Sequence, residues 1–133
     1  MENKTFTPEK ITELKENEVF VFGSNEAGIH GAGAALLAKQ RFGAKQGVGY
    51  GLQGQSFAIP TKDERIQTLE LDKIKVYIKQ FLSFAQENNH LKFLVTKIGC
   101  GLAGIDEESM KNIFTLLTIP ENVILPKEFK EVQ

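Results

Sequence analysis

Two apolar runs in this chain each break into a glycine-rich turn and then pass into a helix-like pattern. The first, Val19-Phe20-Val21-Phe22, leads into Gly23-Ser24-Asn25-Glu26-Ala27-Gly28-Ile29-His30-Gly31-Ala32-Gly33-Ala34-Ala35. The second, Phe93-Leu94-Val95-Thr96, leads through Lys97-Ile98 into Gly99-Cys100-Gly101-Leu102-Ala103-Gly104-Ile105-Asp106. Four residues with no polar alternation suit a strand covered on both faces. Glycine lets the backbone bend and approach a ligand where a side chain forbids it. Two such turns at the ends of two strands predict two walls of one binding crevice.

The remaining chain supplies the elements those walls need. Thr7-Pro8-Glu9 predicts a short opening helix, with a capping hydroxyl and proline at its first position, and with Ile11 and Leu14 on its buried side. Helix formers from Ala32 to Phe42, closed by Gly43, predict the next. The stretch from Gly43 to Gly54 holds five glycines and reads as a loop. Gln55 to Pro60 reads as a strand stopped by its proline, and Thr61 to Thr68 as an exposed connection. From Leu71 to Gln86 the positions Ile74, Tyr77, Ile78, Phe81, Leu82 and Ala85 follow helical spacing. Asp106 predicts the N-cap of a further helix, with Met110, Ile113, Phe114 and Leu117 on one face; Asn122 to Leu125 predicts a last strand. The alternation implies an α/β fold: one domain over residues 1–133, with a mostly parallel sheet and helices on both faces. Its ligands would bind beyond the carboxyl ends of the strands.

Charge narrows the partners. Sixteen Lys+Arg against seventeen Asp+Glu leave a net charge of −1, which argues against general attraction to nucleic acid or an anionic membrane. The single cysteine, Cys100, excludes an internal disulfide framework. With no signal-like opening segment, a cytoplasmic location is expected. No apolar run approaches the ~18 residues of a membrane span. Two histidines and one cysteine without ligand spacing predict no metal site.

The two turns differ in chemistry. The helix after the first has no acid in its first turn, so free N–H groups from Gly31 onward can hold a phosphate. The second helix opens with Asp106-Glu107-Glu108, which repels an anion, so its loop from Gly99 to Gly104 is expected to lie alongside as a backbone wall. His30 is a candidate phosphate contact or acid–base group, weighed against a plain surface histidine. Cys100 has no evident activating base and reads as a small buried residue. The segment Gly49-Tyr50-Gly51-Leu52-Gln53-Gly54 has dinucleotide-type glycine spacing but precedes a strand rather than following one. It is a candidate flap, with Tyr50 and Phe57 as candidate base or sugar contacts. Lys62-Asp63 reads as an exposed ion pair or a rim contact.

At these residues the chain resembles the macro domains, α/β modules that bind ADP-ribose and related nucleotides. Asn25 resembles the last Asn of the family's N-x-A-N stretch, and Gly31-Ala32-Gly33 its glycine-rich run. Ile98-Gly99-Cys100-Gly101-Leu102-Ala103-Gly104 is similar to the second loop, I-G-[TC]-G-L-x-G. The resemblance covers the order of elements from Val19 to Leu125 and is specific only in the loops, as in a divergent and shortened member. It implies a three-layer α/β/α fold with a mostly parallel or mixed sheet and no cofactor. Ser24, Asn25, Gly28, His30 and Gly31 to Gly33 would face the distal ribose, and Gly99, Cys100, Gly101, Leu102, Ala103 and Gly104 the diphosphate. ADP-ribosylated protein or nucleic acid is a further implied partner. Ala34 and Ala35 stand where hydrolytic members carry an aspartate, and the acid that contacts adenine has no clear match. Asn25, Glu26, His30 and Asp106 are the candidates for any hydrolysis of ADP-ribosyl or ADP-ribose phosphate esters. The alternatives are a non-catalytic module for a nucleotide or nucleic-acid end, and an unrelated nucleotide-dependent enzyme on a doubly wound sheet.

Overall fold

The computed structural model describes residues 6–130. Its elements run β1 (Glu18–Asn25), α1 (Gly33–Arg41), β2 (Gly51–Gln53), β3 (Ser56–Lys62), α2 (Leu71–Glu87), β4 (Lys92–Val95), α3 (Glu107–Thr115) and β5 (Val123–Ile124), then a 3-10 turn at Lys127–Phe129. The strands form one mixed sheet in the order β2-β3-β1-β4-β5. β1 is parallel to both β3 and β4, β4 is parallel to β5, and only β2 is antiparallel to its neighbour.

The apolar runs are covered on both faces, as their lack of alternation requires. Val19 and Val21 of β1, Phe57 and Ile59 of β3, and Phe93 and Val95 of β4 pack under α2 and α3 through Ile74, Ile78, Phe81, Met110 and Phe114. Phe20 and Phe22, Ala58 and Leu94 point the other way, against Ala35 and Ala38 of α1 and against Ile11. The result is a three-layer α/β/α arrangement. The small residues of α1 let that helix sit close to the sheet. The connection out of β1 leads one way along the sheet and that out of β4 the other, so the point of divergence lies between β1 and β4. Crevices in open α/β sheets form at such points.

Three local expectations are corrected. No helix forms at Thr7. Its N–H donates to Leu125 O at 2.9 Å and its hydroxyl to Ile124 O at 2.9 Å, so the segment runs along β5 instead. A helix this short carries the full nucleation cost, and pairing with the sheet edge outcompetes it. Ile11 still lies in the core, reached by extended chain. Pro60 does not stop β3, which continues to Lys62. β2 pairs only as far as Ala58 and pairing on that side resumes at Thr61 and Lys62 with Leu69 and Thr68, so Pro60 falls in a gap where a missing N–H is tolerated. The stretch from Gly43 to Gly54 also contains β2, a three-residue edge strand. Gly43 does end α1: at φ +82° it lets Ala44 N–H return to Ala38 O at 3.1 Å.

Among the described residues no helix is long and apolar enough to cross a membrane, and no group of His, Cys, Asp or Glu is arranged to hold a metal.

Candidate functional site

A crevice of about 430 Å³ opens beyond the carboxyl ends of β1, β3 and β4. β1 supplies Gly23, Ser24 and Asn25; the first glycine loop and the start of α1 supply Ile29 and Gly31 to Ala35. Thr96 to Gly99 and Gly101 to Ala103 form the opposite wall. Thr61, Lys62 and Ile66 close it from β3 and the turn beyond. This size suits a small polar ligand.

Both glycine walls present unused backbone donors. The N–H groups of Ala32, Gly33, Ala34 and Ala35 on one side, and of Gly101, Leu102 and Ala103 on the other, make no hydrogen bond among the described residues. α1 starts without a side-chain cap and without an acid in its first turn. Unbonded N–H groups at a helix start and in a glycine loop are donors that an anion can use. The second loop holds its shape by bonds of its own: Ile105 N–H to Gly99 O at 2.8 Å and Gly104 N–H to Gly101 O at 3.0 Å, with Gly99 and Gly104 at positive φ.

The side chains add positive charge and no negative charge. Lys62 lies beside Asn25 in the β1–β3 register, and its ammonium makes no ion pair among the described residues. Lys97 also lines the crevice but sits 3.1 Å from Glu107, whose hydrogen bond holds the ammonium above its usual range. Among the described residues no Asp, Glu, His or Cys lines the crevice. Of the two readings open for Lys62, ion pair or rim contact, its side of the crevice matches the rim; Lys97 carries no local signal, because nothing in the sequence distinguishes a lysine at a strand end.

Comparisons of this chain with protein-family models, curated proteins and solved structures find no match.

Of the residues expected to meet a ligand, Ser24, Asn25, Gly31, Ala32, Gly33, Gly99, Gly101, Leu102 and Ala103 converge on the crevice, whereas Gly28, His30, Cys100, Gly104 and Asp106 do not. Asn25 is committed to its own loop: Nδ2 donates to Ile29 O at 2.8 Å and Oδ1 accepts from Ile29 N–H at 2.9 Å. His30 is wholly buried behind that loop, with Nε2 3.0 Å from Val48 O and its ring edge on Phe22. A carbonyl oxygen only accepts, so Nε2 is the donor in that contact, and Nδ1 has no partner among the described residues. Burial pushes the Cys100 thiol up to about 11, so almost no thiolate exists at neutral pH. Asp106 caps α3, accepting from Ser109 N–H at 3.1 Å and from Ser109 Oγ at 2.8 Å, and these bonds hold its carboxyl below the usual range.

The segment read as a flap, Gly49 to Gly54, does not line the crevice: Gly49 packs against the backbone of Asn25 and Gly51–Gln53 form β2. With the residues before it the segment is a buttress behind the first loop, where Gly47 N–H donates to Gly28 O at 2.7 Å and Gln46 Oε1 accepts from His30 N–H at 3.2 Å. Phe57 lies in the core, and Tyr50 packs edge-on against it at 5.3 Å.

Glu26 ties the first loop to α2. Its carboxylate accepts from Tyr77 OH at 2.5 Å and pairs with Lys73 Nζ at 3.0 Å, and these two contacts, Tyr77 first, hold it below the usual carboxylate range. Burial, reinforced by the same bond to Glu26, pushes Tyr77 up to about 12. A folded pKa above the ordinary value of about 10 means that this stability is fully present below pH ~10. It is lost as pH rises through the folded value. Tyr77→Phe is therefore expected to lower stability near neutral pH by about 1.5–3 kcal/mol, the range for a bond to a charged acceptor. It should also flatten the alkaline loss between pH 10 and 12. Urea midpoints across that interval measure both.

Proposed function

We propose that the protein binds ADP-ribose or a closely related nucleotide, with its diphosphate between the glycine loops. The observation that carries this reading is the pair of unbonded N–H runs, Ala32–Ala35 and Gly101–Ala103, on opposite walls of a crevice whose only charged side chains among the described residues are lysines. A second cavity of about 500 Å³ adjoins the crevice and shares Ala34, Thr96 and Lys97 with it. Phe6, Pro8, Ile11, Phe20 and Leu37 give it an apolar lining suited to a heteroaromatic base. An anion-binding crevice beside a chamber with an apolar floor and a charged rim fits a nucleoside diphosphate better than a bare sugar or a nucleic-acid backbone.

Binding is favoured over hydrolysis, because among the described residues no carboxylate or imidazole lines the crevice to activate water. One observation keeps a catalytic reading in play. Lys62, whose ammonium has no ion pair among the described residues, stands at the Asn25 end where it would stabilise negative charge on a departing group. Incubation with ADP-ribosylated protein or nucleic acid separates the two: release of ADP-ribose that disappears in Lys62→Ala supports an enzyme, and retention without release supports a reader.

The binding reading has a direct test. ADP-ribose at ~100 times its dissociation constant is expected to add about 2.7 kcal/mol, a rise in Tm of roughly 8–12 °C for a domain of this size. No shift with ADP-ribose, ADP or NAD overturns it.

A further inference from the structure

The crevice has a third wall that neither glycine loop supplies. The turn after β3 is joined to both of them. Lys62 O accepts from Glu26 N–H at 2.9 Å on the side of the first loop, and Thr68 Oγ1 donates to Ala103 O at 2.7 Å on the side of the second. The turn thus closes the gap between the two loops at the Asn25 end.

At its tip stands Ile66, with φ +62°, the only residue other than glycine at positive φ among those described. A β-branched side chain is poorly suited to that conformation, and glycine or asparagine is the usual occupant. The conformation is enforced from several directions. Asp63 N–H donates to Gln67 O at 2.7 Å, Ile66 N–H returns to Asp63 O at 3.1 Å, and Asp63 Oδ1 accepts from Arg65 N–H at 2.8 Å and Gln67 N–H at 3.0 Å. The side chain held this way is not buried for packing. It is 40% exposed and lines the crevice, together with Ile29 at 48% and Leu102 at 71%. Three loops therefore each bring one exposed aliphatic side chain to the same mouth. A local rule broken without a packing gain marks a functional position.

We propose that Ile66, with Ile29 and Leu102, forms an aliphatic collar that grips the carbon face of a neutral sugar at the end of the bound nucleotide. The collar then selects a glycosylated diphosphate over one that ends in phosphate. The inference rests on the nucleotide reading above. A sugar ring offers C–H surface to the three aliphatic side chains, a contact that a nucleotide ending at its diphosphate does not make. Covering the exposed part of Ile66 corresponds to about a tenfold gain in affinity.

Titration calorimetry of the full chain with ADP-ribose and with ADP, on wild type, Ile66→Gly and Ile66→Asn, tests it. Wild type is expected to prefer ADP-ribose. Both variants should lose about tenfold in ADP-ribose affinity, keep their ADP affinity, and melt at the wild-type temperature or about 2–4 °C above it as the backbone strain is relieved. Equal losses for both ligands, an unchanged ADP-ribose affinity, or a wild type that binds ADP as tightly as ADP-ribose overturns the collar alone. Melting below wild type also overturns it, because Ile66 would then be held for packing. A wild type that binds neither ligand overturns the nucleotide reading and the collar with it.

Discussion

Gly28→Ala is expected to remove roughly 3–5 kcal/mol of folding stability, combining left-handed backbone strain with an overpacked contact. Gly28 has φ +73°, and a Cβ placed there would meet Gly47 C at 2.3 Å and Val48 N at 2.4 Å. Both are backbone atoms, so no side-chain rotation relieves the contact. Gly47 provides the comparison, with φ +93° and nothing within 4 Å of its Cβ position. Gly47→Ala thus carries only the conformational part, about 1–2 kcal/mol. Gly49→Ala carries the complementary part: its Cβ would lie 2.2 Å from Asn25 O, and its φ is not in the left-handed region. Thermal melts of the three variants should rank Gly28→Ala lowest, by roughly 10 °C or more against wild type. Equal melting of Gly28→Ala and Gly47→Ala would show that the buttress yields freely.

The same contacts explain what could be read from the chain. β1 and β4 are legible because a run such as Val19-Phe20-Val21-Phe22 can be buried only between two layers. α2 is legible because Ile74, Ile78, Phe81, Leu82 and Ala85 repeat at helical spacing and are all buried on one side. Both glycine loops are legible as crevice walls, since strand ends fix where they go. His30 misleads for a reason that is physical. Its partners, Gln46 and Val48, lie 16 and 18 residues away and bury it behind the loop whose motif suggested a ligand contact. Gly28 belongs to the motif in sequence yet serves the buttress in space. The third wall is hidden for the same cause. Its polar stretch from Thr61 to Thr68 looks like any exposed connection, and only the Lys62–Thr68 bridge and the Thr68–Ala103 bond bring Ile66 to the mouth. Thr7-Pro8-Glu9 carries a sound local start signal that loses to a non-local partner, β5. Local rules located the site; long-range backbone pairing decided which side chains face it.

Gly101→Glu is expected to weaken ADP-ribose binding by about 100-fold or more with almost no change in folding stability. Gly101 lines the crevice, its φ lies outside the left-handed region, and nothing stands within 4 Å of its Cβ position. The substitution thus carries neither of the penalties that separate Gly28 from Gly47, and surface changes of this kind stay within about 0.5 kcal/mol. In the crevice, however, the new carboxylate lies beside the unbonded N–H groups of Gly101, Leu102 and Ala103, where a diphosphate would sit. Two unit charges about 5 Å apart at an effective dielectric of about 20 repel by roughly 3 kcal/mol, more than a hundredfold in affinity. Gly101→Gln separates bulk from charge: it should bind more weakly than wild type yet clearly better than Gly101→Glu, and only the Glu variant should recover affinity as salt rises. Gly33→Glu is a poorer probe, because Gly33 has φ +59° and its substitution adds backbone strain at the start of α1. Calorimetry with ADP-ribose at two ionic strengths, alongside thermal melts, reads each of these quantities. Undiminished binding by a folded Gly101→Glu protein would place the nucleotide elsewhere than between the two glycine loops.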